Sequence, residues 1–350
     1  MRVWKRKIKI NEQEIDEITL ENSNGIKVSF LTYGGIITSL VVPDNKGEFS
    51  NIVLAYSDYK DYLENPGYFG SLIGRTAGRI KDGSFTLNGE SYTLERNYGE
   101  NSGHGGKVGF DKRIYDHEII ESENRIAVEL TRVSPHMEEG YPGEVLVKVT
   151  YTLSEEDTLT IVYEGFSSED TLFNMTNHSY FNLSGSFQES IKYHELFIDA
   201  DFYVELDESN APTGKLIKVN ETPFDFRYMR EIGEEMNSPD LQLKIGNGYD
   251  HAFLLNKKNG TKVRLAHRFT GRVMEIETDN QAVVMYTQNY SQGQIIKDGS
   301  ILKPNNSIAL EVQKLPIGSM EVFKEYSVLE ANTRQATTTK FRFFVESDLN

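Results

Sequence analysis

Apolar and polar residues alternate with a period of two along most of the chain, the signature of half-buried strands. GIKVSFLTYGGIITSLVVPDNKG (25–47) predicts two strands interrupted at Gly34-Gly35 and closed by a turn over Asp44 to Gly47. GSFTLNGESYTL (83–94) predicts a hairpin, because Asn88-Gly89 suits the positive φ angles of a tight turn. GEVLVKVTYTLSEEDTLTIVYEGF (143–166) predicts two more strands around a polar turn. The pattern continues in YHELFIDADFYVEL, GTKVRLAH, GRVMEIETDNQAVVMYTQN and SIALEVQKL, and in a last strand, KFRFFVES (340–347). Helical signals are sparse. DYKDYLE (58–64) and YMREIGEEM (228–236) each predict a short helix. No repeat of 20 to 50 residues and no Pro/Ser-rich linker divides the chain, which argues against a propeller or solenoid. The expected architecture is all-β: one domain over residues 1–350, a large antiparallel β-sandwich with few short helices. The 19 Tyr and 19 Phe suit pleated surfaces.

The segment NMTNHSYFNLSG (174–185) reads as a strand, with an unusual load of hydrogen-bonding groups. Alternation over 173–183 puts Phe173, Met175, Phe181 and Leu183 on one face, with Asn177 and Ser179. The other face carries Asn174, Thr176, His178, Tyr180 and Asn182. Such a row fits either a solvated strand face or a cleft wall for a polyhydroxylated ligand. Three further segments have the same character. NSGHGGKVGFDK (101–112) is a glycine-rich loop around His104 that matches neither phosphate-loop nor dinucleotide patterns. GNGYDHAFLL (246–255) carries Asp250 into an apolar strand. SIALEVQKLP (307–316) sets Glu311 and Gln313 on one face, Leu310 and Val312 on the other. A carboxylate between apolar neighbours is partly desolvated, which raises its pKa and strengthens it as a base. Each of these residues, taken singly, also fits a structural network.

Composition narrows the ligand class. The net charge of −16 over 350 residues disfavours nucleic acid and anionic membranes. The chain has no cysteine, which removes disulfides, zinc thiolates and thiol nucleophiles. The basic start MRVWKRKIKINEQEIDEITL lacks the apolar stretch of a signal peptide, and no apolar run is long enough to span a bilayer. The expectation is a cytoplasmic protein.

Taken in order, GRTAGRIKDGSFTLNGESYTL, NSGHGGKVGFDK, TNHSYFNLSG, PTGK, YDHAFLL and LEVQKLP resemble the aldose 1-epimerase family, from about Gly34 to Pro316. The step of 25 residues from Arg79 to His104 also matches. The resemblance implies a very large β-sandwich with an open sugar cleft, no metal and no cofactor. It implies interconversion of the α and β anomers of free aldoses such as galactose and glucose. His178 is then the general acid and Glu311 the general base. Arg79, His104 and Asp250 bind the sugar, and Tyr180 lies beside it. The histidine suits the acid role if a neighbouring carboxylate holds its pKa up, and Asp250 is a candidate for that neighbour.

Four positions depart from the family pattern: Gly78 stands for Asn, Gly103 for Leu, Val284 for a sugar-contacting Gln, and Val312 for Thr. The Val284 departure bears on sugar preference, not on chemistry. The expected partner is a small sugar, acted on by a monomer or homodimer. The alternatives are a hexose-6-phosphate 1-epimerase and a non-catalytic carbohydrate-binding protein of the same fold.

Overall fold

A computed structural model describes residues 1–346. Three antiparallel sheets dominate them. A five-stranded sheet runs in chain order from Arg2–Ile10 to Phe49–Asn51. A nine-stranded sheet is centred on Val145–Ser154, Thr158–Ser167 and Arg334–Val345. A six-stranded sheet is ordered Tyr180–Phe181, Ile308–Gln313, Ala282–Tyr286, Asp250–Leu255, Ala200–Leu206, Pro212–Lys218. All three contribute to one apolar core, for example through Phe30, Tyr151 and Phe253. Burying such side chains stabilises the fold by roughly 1.5–3 kcal/mol each. Among the described residues no helix is long and apolar enough to cross a membrane.

The period-two expectations hold where alternation was clear. The Asn88-Gly89 hairpin joins Ser84–Leu87 to Glu90–Thr93, with φ of 53° and 84° at the turn. Residues 58–64 form a 3-10 helix over Tyr59–Leu63, capped by Asp58. The last strand ends at Val345, and Ser347 lies outside the described residues.

Two expectations do not hold. Residues 228–236 form no helix. Arg230–Glu231 pairs with Glu195 and Leu196, and the Ile232 and Gly233 N–H groups donate to the His194 and Lys192 carbonyls. A short segment with costly nucleation gives way to a sheet edge that accepts its backbone. The α-helix in this region is Leu241–Gly246, capped by Asp240 and ended by left-handed Asn247. The N-terminal hairpin, Arg2–Ile10 with Gln13–Glu21, was not read from the sequence.

The second correction concerns residues 173–183, which are not one strand. Thr176–Asn177 pairs with Ile73 and Leu72, and Tyr180–Phe181 pairs with Ala309 and Ile308. The alternation of faces survives the break. His178 and Tyr180 line a cleft, whereas Asn177, Ser179 and Phe181 face Ile37, Leu40 and Val53.

Candidate active site

The cleft lies on the outer face of the six-stranded sheet and encloses about 430 Å³. That is within the range of small-ligand sites. Strand alternation selects its lining. Glu311 and Gln313 face it, while Leu310 and Val312 turn into the core. In the neighbouring strands Val284 and Tyr286, Asp250 and Ala252, and Val204 and Leu206 share the cleft face.

Side chains from the 174–182 segment answer the question of its many polar groups. Asn174 donates to the Lys314 carbonyl (3.2 Å) and accepts from the Lys314 N–H (2.9 Å). Thr176 donates to the Val312 carbonyl at 2.9 Å. Asn182 donates to the Glu189 and Asn306 carbonyls. The bonds to Lys314, Val312 and Asn306 clamp the segment that carries His178 to the strand that carries Glu311 and its two ends. As a result His178 Nε2 stands 3.3 Å from Glu311 Oε1, with both side chains about 5% exposed.

Burial sets the electrostatics of this pair. It pushes Glu311 up to about 8, with the nearby Asp250 charge adding to the shift. It pushes His178 down to about 4. Both shifts favour neutral groups in a low-dielectric site. Near neutral pH the pair therefore holds one proton between its two members. Moving that proton across the 3.3 Å contact changes no net charge.

Arg79 and Asp250 form a second pair. Both Arg79 terminal nitrogens donate to Asp250 Oδ2 at 3.3 Å, and Arg79 Nη1 also donates to the Asn210 carbonyl at 3.0 Å. Asp250 is thus committed to Arg79. The carboxylate beside His178 is Glu311, so the expectation that Asp250 holds up the histidine is corrected. Burial raises Asp250, and Arg79 offsets part of the rise.

His104 sits at φ 50° in its glycine-rich loop. Gly105 is required beside it, because a Cβ there would lie 1.7 Å from the Gly74 carbonyl oxygen. The two imidazole centroids of His104 and His178 are 5.4 Å apart. Burial drives His104 well below the usual histidine range, with His178 adding to the shift. The Tyr180 ring lies 4.8 Å from His178, buried against Phe69. All six sequence-predicted residues meet in this one cleft.

Several lining residues escaped the sequence reading. Tyr68 packs 4.9 Å from His104 and nearly parallel to His178 at 6.0 Å. Tyr98 and Tyr286 complete the aromatic wall. Tyr286 was reachable by alternation, two residues beyond Val284. Tyr68 and Tyr98 sit in irregular segments with no period to mark them.

Among the described residues, five buried polar atoms of the cleft lining have no protein partner: His104 Nδ1, His178 Nδ1, Asn210 Oδ1, Glu311 Oε2 and Gln313 Oε1. Buried polar groups are normally paired. Five in one cleft suit a ligand rich in hydroxyls. One group of donors is also close enough to hold a metal ion. Ligand atoms of His104, His178 and Glu311 all lie within 4.8 Å of one another.

The family profile described as aldose 1-epimerase matches residues 16–342. Galactose mutarotase of Sus scrofa is 38% identical over 84% of both chains. Aldose 1-epimerase of Haemophilus influenzae is 36% identical over 93% of this chain and 95% of its own. The crystal structure of galactose 1-epimerase from Lactobacillus acidophilus superposes with a TM-score of 0.87 at 29% identity, over 98% of both chains. The match spans all three sheets and every residue of the cleft, and the chain belongs to the aldose 1-epimerase family.

Proposed function

We propose that this chain is an aldose 1-epimerase that interconverts the α and β anomers of free aldohexoses such as galactose and glucose. The carrying observation is the 3.3 Å contact between His178 Nε2 and Glu311 Oε1 on the wall of a sugar-sized cleft.

The reaction opens a hemiacetal and closes it from the other face. Glu311, as base, takes the proton of the anomeric hydroxyl while His178, as acid, delivers one to the ring oxygen. The C1–O5 bond breaks and the anomeric C–O bond becomes a carbonyl. The aldehyde turns about C1–C2, and the two proton transfers run in reverse. The active tautomer has Glu311 ionised and His178 protonated, and the pair reaches it by an internal shift without changing its charge. Arg79 near Glu311 favours the ionised form. Sugar hydroxyls that donate to Glu311 favour it further. Each acid or base contributes roughly 10²- to 10⁴-fold. Arg79, His104 and Asp250 hold the ring in register with the pair, and Tyr180 supports the His178 imidazole from the side.

The free sugar is favoured over its 6-phosphate. Among the described residues Arg79 is the one Lys or Arg lining the cleft, and Asp250 already engages it. The acid–base pair favours catalysis over binding alone. Polarimetry with freshly dissolved α-galactose, α-glucose and glucose 6-phosphate tests the reading. Accelerated approach to the equilibrium rotation is expected for the first two. A rate equal to the buffer's for both free sugars overturns it.

A further inference from the structure

Tyr98 occupies a position that the acid–base chemistry leaves unexplained. It lines the cleft, and its ring lies under the Arg79 guanidinium, with Cζ 5.2 Å from the centroid. Its backbone is held by a two-way bridge, Tyr98 N–H to the Asn101 carbonyl and Asn101 N–H to the Tyr98 carbonyl, both 3.0 Å. Next to it, Asn97 bonds both the N–H and the carbonyl of Gly103. The Tyr98 ring also meets the His104 imidazole edge-on, with centroids 5.8 Å apart. Tyr68 packs against both cleft imidazoles.

Gly103 makes this arrangement possible. It lies in the two-residue strand Ser102–Gly103, directly opposite Arg79. It is not among the residues of positive φ, so its backbone admits any side chain. What requires glycine is the Tyr98 ring: a Cβ on residue 103 would stand 2.4 Å from Tyr98 Cδ2 and 2.7 Å from Cε2. The ring therefore fills a space that a side chain at residue 103 would take.

Resting on the epimerase reading of this cleft, we propose that Tyr98, admitted by Gly103, is a positioning residue. It aims Arg79 at the sugar and, through its edge contact with His104, links that residue to the imidazole side of the cleft. A cation over an aromatic face is attracted to it by the ring quadrupole, most strongly where water is excluded. The ring restricts a flexible guanidinium to one side of the Asp250 carboxylate before any sugar arrives. Pre-set geometry of this kind improves binding by lowering the ordering cost.

Calorimetric titration with galactose reads the proposal independently of turnover. Tyr98→Phe keeps the ring and is expected to bind within about twofold of the native chain. Tyr98→Leu, and Gly103→Leu by evicting the ring, are each expected to weaken binding by about 5- to 30-fold. The double variant Gly103→Leu/Tyr98→Leu is expected to be no weaker than either single one, because both changes act through the same ring. Circular dichroism checks that each variant folds. If Gly103→Leu does not fold, Tyr98→Leu alone decides. Native affinity in Tyr98→Leu overturns the proposal, as does an additive loss in the double variant or a native chain that binds no galactose. A native chain that binds galactose but leaves its mutarotation at the buffer rate overturns the epimerase reading alone.

Discussion

Among the described residues two pairs of histidines are buried against each other, and one of them faces the sugar-sized cleft. His104 and His178 have centroids 5.4 Å apart; His194 and His267 have centroids 4.7 Å apart. Burial lowers all four below the usual histidine range. A perturbed pKa therefore does not distinguish them. Their partners do. His194 Nε2 accepts the Leu183 N–H at 2.8 Å, and His267 Nδ1 meets the Thr270 hydroxyl at 3.0 Å. That pair completes backbone and turn hydrogen bonds at the end of the nine-stranded sheet. His178 instead meets a buried carboxylate, on a surface that a ligand can reach. Desolvation shifts both pairs, but a transferable proton and an opening belong to one. The shift marks a candidate, and geometry makes the assignment.

The comparison breaks most sharply on turnover. Glu311→Ala and His178→Ala are each expected to lower kcat about 10²- to 10⁴-fold in polarimetry. A Glu311→Ala enzyme that matches the native chain removes the assignment. The pH profile of kcat/KM comes next. Below about 4 the pair holds two protons and has no base. Above about 8 it holds none and has no acid. Activity is expected to be level between these limits and to fall roughly tenfold per pH unit beyond them. A profile that keeps rising above pH 9 contradicts the shared proton.

The other histidine pair is expected to answer on stability alone. His194→Ala leaves the buried Leu183 N–H unpaired, at a cost of about 1–3 kcal/mol in urea unfolding. Its kcat per folded molecule is expected to be unchanged. A large loss of kcat without a loss of stability there erases the distinction between the pairs. The smallest effect concerns sugar choice. Val284 shares its cleft face with Val204, Leu206 and Ala252, an apolar strip beside Glu311, its direct cross-strand neighbour. Val284→Gln is expected to change the galactose-to-glucose ratio of kcat/KM by about 5- to 10-fold, with kcat for the better sugar little changed. An unchanged ratio places the selectivity elsewhere in the cleft.

Much of the site was legible because strand alternation is a local rule. It put Glu311 and Gln313 together, and it separated His178 and Tyr180 from Phe181, even though the expected strand over 173–183 is broken into pieces. The helix expected over 228–236 failed for the opposite reason. Its backbone found partners on the strand His194–Ile198, distant in the chain, and no local pattern announces such a partner. The same limit hid Tyr68 and Tyr98, whose loops have no period and whose roles rest on contacts with Arg79, His104 and His178.

Residue chemistry and period were written into the chain: the all-β class, the set of acids, bases and donors, and the faces on which most of them lie. Side-chain direction along a strand depends only on the parity of position, so no tertiary contact is needed to read it. Which carboxylate would face His178 was decided only by the fold. Thr176 and Val312, 136 residues apart, bond to bring Glu311 to the imidazole, while Arg79 takes Asp250. Those pairings come from packing whole sheets, and the shifts that follow come from excluding water around them. Both are properties of the assembled structure and of no single segment.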